Sequence, residues 1–229
     1  MAKQVVLIVL GGVLLVIGVL AAIGGGALMA LFGSNDTLSS GAQQVSTPTR
    51  ALVSQAGTIQ GVSGVQTVFG NVRLRITATP TGAGHGLFLG IGPASAVNRY
   101  LSSVSHDVAT DVSVTPFHLK LTRHGGTATP PPPGSQSFWV AKASGSHPTL
   151  TWTVTDGSYR VVAMNTDTAA PVAFTGALAL TIPHLFGIGI GLLIGGIVLI
   201  LIAIALIVLG VRARPRRPSG PVPDPATRP

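Results

Sequence analysis

The amino-acid sequence predicts a membrane protein in which two transmembrane α-helices flank an all-β extracytoplasmic sandwich, of jelly-roll or immunoglobulin-like type, with one short helix. Three observations predict it. Residues 5–34 and 185–211 are two uncharged apolar runs, each longer than the about 20 residues that cross a bilayer. Between them, short stretches rich in β-branched and aromatic residues are bounded by Gly, Pro, Asn or Asp, the signature of strands. Only 9% of the 229 residues are charged, against 46% hydrophobic, and mean hydropathy is +0.57. Soluble domains carry about 25% charged residues, so an ordinary cytosolic globule is excluded. A mostly disordered chain is excluded too, because disorder needs low hydrophobicity and high net charge.

The first apolar run makes residues 1–34 an N-terminal transmembrane helix. It outruns the roughly 7–15 apolar residues of a cleaved signal peptide, so it is expected to stay in the chain. The second places a C-terminal transmembrane helix at residues 183–211. It ends at Arg212, Arg214, Arg216 and Arg217, whereas the opposite flanks of both runs lack Lys and Arg. Such an asymmetry marks the arginine side as cytoplasmic. Both termini are therefore expected in the cytoplasm and residues 35–182 outside a cytoplasmic membrane. The tail, residues 212–229, holds six prolines and no apolar period; it reads as a disordered basic segment touching lipid head groups. Nucleic acid is not an expected partner despite the net charge of +8, because the basic excess sits beside an apolar helix without interleaved aromatics.

Both helices carry small residues four apart: Gly18, Ala22, Gly26 and Ala30 in the first, Gly187, Gly191 and Gly195 in the second. In lipid, close backbone approach along such a stripe drives association. The expected partners are membrane lipids and a membrane protein or a second copy, the alternative being that the two helices of one chain pack together.

Outside the membrane, residues 35–55 are polar and aperiodic and read as a linker, with the folded region over 56–182. Within 71–79, Val72, Leu74 and Ile76 alternate with Arg73, Arg75 and Thr77, a half-buried strand. Further strands are expected over 86–91, 112–122, 137–142, 149–154, 159–165 and 172–182. In TLTWTVTDGSYRVVAMN, Asp156-Gly157 lies between two alternating runs and predicts a tight hairpin. Residues 94–104 follow Pro93 and space Val97, Tyr100, Leu101 and Val104 as a helix does. The insert HGGTATPPPPGSQ places Pro130 to Pro133 in a row, which predicts a stiff, left-handed extended surface loop.

The segments GLFLGIGPASAVNRYLSSVSHDVATDV, FWVAKASG and LTWTVTDGSYRVVAMN resemble a group of actinobacterial membrane proteins in which similar motifs lie between two membrane segments. The resemblance brings no activity with it. The last motif is also similar to a strand-turn-strand of bacterial prepeptidase-type β-sandwich domains, which are accessory modules. That likeness implies hairpin and core roles, none catalytic, for Trp152, Asp156, Gly157, Tyr159 and Asn165.

Chemistry is sparse. There is no cysteine, which excludes disulfides, thiolate metal sites and thiol nucleophiles. Glu is absent, leaving six Asp and few carboxylate pairs. No Gly-x-Ser-x-Gly elbow is present, and Gly90-Ile91-Gly92-Pro93 lacks the Lys and spacing of a phosphate loop. His106, Asp107 and Asp111, with His118 and His124 nearby, are the candidate metal ligands; the competing reading is that these Asp cap backbone amides. His85 and His184 stand alone. The sequence therefore points to a non-enzymatic, membrane-anchored binding or accessory subunit without a cofactor. Two alternatives are an envelope ligand or stress sensor signalling through a partner, and a metal-dependent envelope hydrolase.

Overall fold

The computed structural model describes residues 2–82, 86–114 and 117–212. In chain order the first elements are α1 (Ala2–Phe32), β1 (Thr37–Ser39), β2 (Gln43–Thr47), β3 (Ala51–Ser54), β4 (Gly57–Ile59) and α2 (Val62–Phe69). There follow β5 (Arg73–Pro80), β6 (Leu87–Pro93), α3 (Ala94–Tyr100), β7 (His106–Val114) and β8 (Phe117–His124). A single 3₁₀ turn at Pro133–Ser135 precedes β9 (Ala141–Gly145), β10 (Thr149–Thr153), β11 (Gly157–Asn165), β12 (Val172–Thr181) and α4 (Leu185–Arg212). Two compact units result, one made of Met1–Ala30 with Gly187–Pro229 and the other of Leu31–Phe186.

In the first unit, α1 and α4 are each long and apolar enough to cross a membrane. They are apolar all round, so no amphipathic stripe orients them, and side-chain volume decides which faces meet. Gly11, Gly18 and Gly25 are buried on α1, and Gly189, Gly196, Ala203 and Gly210 on α4. A Cβ built on Gly25 would lie 2.5 Å from Gly189 O, one on Gly18 2.8 Å from Gly196 O, and one on Gly11 3.0 Å from Ala203 O. The pair is therefore antiparallel with a seven-residue repeat of small residues, the spacing of left-handed helix pairs.

The second unit consists of two sheets packed face to face. The first is antiparallel, in the order β1-β12-β5-β10, with β2 on the same edge of β12 as β1. The second runs β8-β7-β3-β11-β6-β9, with β4 on β11, and contains one parallel pair, β3 with β7. Ile76, Leu150, Trp152, Val172 and Phe174 from the first sheet meet Leu87, Leu89, Ile91 and Ala163 from the second in one buried core. The outer face of the second sheet is also covered. There Phe88, Val53, Val162 and Met164 pack under Val97, Leu101 and Val104 and against Trp139. This double coverage explains why β6 is buried along nearly its whole length. Its glycines make room for rings: a Cβ on Gly90 would lie 2.8 Å from the Trp139 ring, and one on Gly92 3.1 Å from Phe138.

Several expectations change. Residues 35–55 are not a tether, because β1, β2 and β3 lie there and build both sheets. Their polarity reflects edge positions: Gln44 and Ser46 are exposed on β2, while β3 is short but central. Asp156-Gly157 does not close a hairpin. Among the described residues β10 pairs with β5 alone, and β11 pairs with β3, β4 and β6, so the dipeptide carries the chain from one sheet to the other. The single strand expected over 112–122 is instead the end of β7 and most of β8, which pair with each other. The strand expected over 137–142 begins later, at Ala141, because Phe138 and Trp139 turn inward onto the outer face of the second sheet. The expected helix over 94–104 is present as α3, and α2 is additional. The proline run is no free rod: Pro130 and Pro133 are buried, Tyr100 Oη donates to Pro131 O (2.7 Å) and Trp139 Nε1 donates to Pro133 O (2.8 Å). His85 and residues 213–229, with Arg214, Arg216 and Arg217, lie outside the described residues.

Candidate functional site

The two sheets are closed along one side and parted along the other. On the closed side Leu150, Trp152 and Val154 fill the interface against Ala141 and Ala143 of β9. On the other side a cleft of about 220 Å³ opens between β2 and β12 of the first sheet and β3, β7, β8 and β11 of the second. The residues facing it explain the gap. Phe174, Gly176 and Leu178 fall at alternate positions of β12, which the strand pleat puts on one face. Ala109, Ala163 and Gly176 supply little volume where Leu or Ile would fill the space.

The lining is almost wholly hydrocarbon: Leu52, Leu89, Leu119, Val161 and Phe174 in addition to the small residues. Leu178 is 46% exposed at the mouth, so apolar surface continues outward. Three polar side chains stand at the cleft. Ser40 Oγ accepts from Leu178 N (3.0 Å), and Ser54 Oγ accepts from Val161 N (2.9 Å); both hydroxyls are occupied in holding backbone. The Gln43 amide has no protein partner among the described residues, which leaves it able to hydrogen-bond a ligand's polar end. No charged side chain among the described residues lines the cleft. An arrangement of this kind offers apolar contact and one polar anchor.

The candidate metal ligands separate. The Asp107 carboxylate is 1% exposed and accepts from Thr47 Oγ1 (2.6 Å), Arg123 Nε (3.1 Å) and Arg123 Nη2 (3.3 Å). Burial pushes its pKa up, but hydrogen bonds from Arg123 and Thr47 and the nearby positive charge outweigh this and hold it below the ordinary carboxylate value. Asp107 thus ties β7 to β8 and to the end of β2. His106 turns the other way, its ring stacked on His124 with centroids 5.0 Å apart, and Asp111 lies exposed opposite Lys120 beyond a bulge. His118 is exposed. Among the described residues no group of three or more ligating side chains converges.

The predicted packing residues also divide. Gly18 and Ala22 lie against α4, where a Cβ on Gly196 would approach Gly18 O and Ala22 N at 2.6 Å. Gly26, Gly187, Gly191 and Gly195 would meet nothing within 4 Å, and Ala30 is exposed. Arg212 ends α4 and is exposed.

Sequence reasoning missed the cleft. Its signal was the placement of Ala and Gly at inward strand positions, such as Ala163 and Gly176, where a closed sandwich would carry larger side chains. No protein-family model matches the chain, and no curated protein or solved structure matches it.

Proposed function

We propose that the chain is a non-enzymatic, membrane-anchored binding protein whose open β-sandwich takes a slender apolar ligand between its sheets. In this reading α1 and α4 cross the cytoplasmic membrane, both termini are cytoplasmic, and residues 35–182 are outside. The observation that carries the reading is the uncharged cleft between β2/β12 and β3/β7/β8/β11. An apolar cavity of about 150 Å³ stays dry and binds benzene, and sites for drug-sized ligands run to about 300–1,000 Å³. At about 220 Å³ the cleft suits a single hydrocarbon chain, with Gln43 at the polar end. Membrane lipids are the natural source of such a chain for a protein embedded among them.

The test is extraction of the full-length protein in mild detergent, followed by mass spectrometry of bound lipid and titration with a fluorescent fatty acid. Ala109→Phe and Ala163→Leu, which fill the cleft, are expected to abolish both signals while the protein remains folded. Equal retention of lipid in the filled variants would sink the cleft as the site. Orientation is separable: because the chain has no cysteine, a single cysteine at Ser63 or Ser219 reports its side of the membrane by labelling in whole cells. Labelling of Ser219→Cys, and not Ser63→Cys, by an impermeant reagent would overturn the topology.

A second reading, an accessory subunit or homo-oligomer, is favoured by one observation. Gly187, Gly191 and Gly195 are left uncovered by α1. Gly191→Leu is then expected to reduce the assembled mass in mild detergent, and an unchanged mass would remove this reading.

A further inference from the structure

On the opposite face of the second sheet from the apolar cleft lies a second depression, about 390 Å³ in volume, bounded by α3, β7, the end of β8 and β11. Its chemistry is different. Arg160 projects into it from β11, His106 and His124 from facing strand positions, and Asn98 and Ser102 from α3 and its C-terminal turn. Asn98, His124 and Arg160 bring N–H donors, while Ser102 Oγ donates to Arg99 O (3.0 Å), and no carboxylate lines the depression among the described residues. The nearest acid, Asp107, faces away and is engaged by Arg123 and Thr47.

The guanidinium of Arg160 is only partly satisfied. Its Nη1 donates to Ser54 O (2.8 Å), which fixes the side chain, while Nε is buried with no hydrogen-bond partner. A buried donor left unpaired is costly, and the site retains it although apolar residues, Val53 and Leu101 among them, make up part of the walls. The two imidazoles are stacked and parallel to within 7°. His106 Nδ1 donates to Val104 O (2.8 Å), so Nε2 is the nitrogen left for a ligand, an acceptor in the neutral ring and a donor in the imidazolium. Parallel stacked rings do not converge two lone pairs on one cation, and a neighbouring guanidinium repels one. A guanidinium edge beside the imidazoles matches an oxyanion instead.

We propose that this depression is an oxyanion site, holding the phosphate or carboxylate group of a ligand on the guanidinium of Arg160 and the imidazole of His124, with His106 adding an Nε2 donor when its ring is the imidazolium. It is independent of the apolar cleft, since no side chain named here as a donor lines that cleft.

The experiment uses the full-length chain in nanodiscs of neutral phosphatidylcholine, with the histidine ring resonances followed by NMR during titration with inorganic phosphate and, separately, acetate. Saturable shifts confined to His106 and His124 are expected with at least one anion. Arg160→Gln is expected to weaken binding about tenfold or more, and Arg99→Gln, an exposed arginine outside the depression, to leave it unchanged. Because Arg160 also holds Ser54, His124→Gln provides a second arm on an exposed side chain and should weaken binding without unfolding. Discs of anionic phosphatidylglycerol distinguish the source. Resonances already shifted there, and resistant to added phosphate, would identify a lipid headgroup, whereas identical behaviour in both discs would identify a free anion. Absence of saturation into the millimolar range, or equal shifts in Arg160→Gln and His124→Gln, would overturn the site.

Discussion

Gly196 faces Gly18 across the antiparallel helix pair so closely that a Cβ on Gly196 would stand 2.6 Å from the Gly18 carbonyl oxygen. That oxygen is backbone and cannot rotate aside, so a side chain at this position must separate the helices. Gly191, two residues beyond Gly189 and so on the far side of α4 from the buried series, meets nothing within 4 Å. Gly196→Leu is therefore expected to part the helices and Gly191→Leu to leave them paired. Spin labels on cysteines introduced at Val13 and Leu201, both exposed, would report one narrow distance in the parent and in Gly191→Leu. Gly196→Leu should broaden it; a distance as narrow as the parent's would show that the glycine contact does not set the pairing.

Gly157 begins β11 with φ of +144°, and a Cβ there would also lie 2.8 Å from the Tyr159 ring. Both the backbone conformation and the space exclude a side chain. Gly157→Ala is expected to cost about 1–3 kcal/mol. Gly64→Ala is the control: Gly64 lies within α2 with open space around it, and alanine there should stabilise by about 0.5–1 kcal/mol. Chemical denaturation of the two variants beside the parent tests the contrast, and equal effects would contradict the crossover geometry.

Asp107 makes stability depend on acid. Its pKa is held below the ordinary carboxylate value despite burial, so its contribution is complete above about 3.9 and is lost as pH falls through the depressed value. Replacing it leaves Thr47 without its acceptor in a buried place. Asp107→Ala is expected to lose about 2–3 kcal/mol at neutral pH. The variant should also lose less additional stability than the parent on acidification below pH about 3.9. Thermal unfolding of both proteins across that range checks this, and parallel curves would show that Asp107 is not the titrating tie.

Elements with a complete local pattern were legible in the sequence: α1 and α4 from unbroken apolar runs, β5 from the alternation around Ile76, and α3 from Val97, Leu101 and Val104. What could not be read was pairing across long separations. TVTDGSY is locally a hairpin, and only the positions of β5 and β6, from distant parts of the chain, split β10 from β11 between sheets. The helix pair failed in the same manner. Four-residue stripes were visible, but the phase that buries Gly11, Gly18 and Gly25 depends on which face of α4 arrives. The linker reading of 35–55 overlooked that a short polar strand can be stabilised by partners it cannot reveal, such as Thr47 by Asp107 and Asp36 by the backbone amides of His184 and Phe186. The apolar cleft was invisible for a related reason, since an alanine marks a gap only when its opposite neighbour is also small.

Tyr100 links α3 to the proline segment, donating from its hydroxyl to Pro131 O at 2.7 Å while its ring packs tilted against Phe138 and edge-on to Trp139. Burial pushes its pKa up to about 12. An ionised Tyr100 would lose its donor and set a negative oxygen against a carbonyl, so the folded chain favours the protonated form. With the folded value raised, this contribution to stability is complete below the unfolded value of about 10 and disappears as pH rises toward 12. The chain has two tyrosines, so Tyr159→Phe leaves Tyr100 alone for an absorbance titration of phenolate. A midpoint near 12 is expected in the folded protein and near 10 in denaturant. Tyr100→Phe should remove about 1 kcal/mol and flatten the alkaline fall in stability. A midpoint near 10 in the folded protein would mean that Pro131 and the rings of Phe138 and Trp139 do not enclose this hydroxyl, and that the proline segment is free of α3.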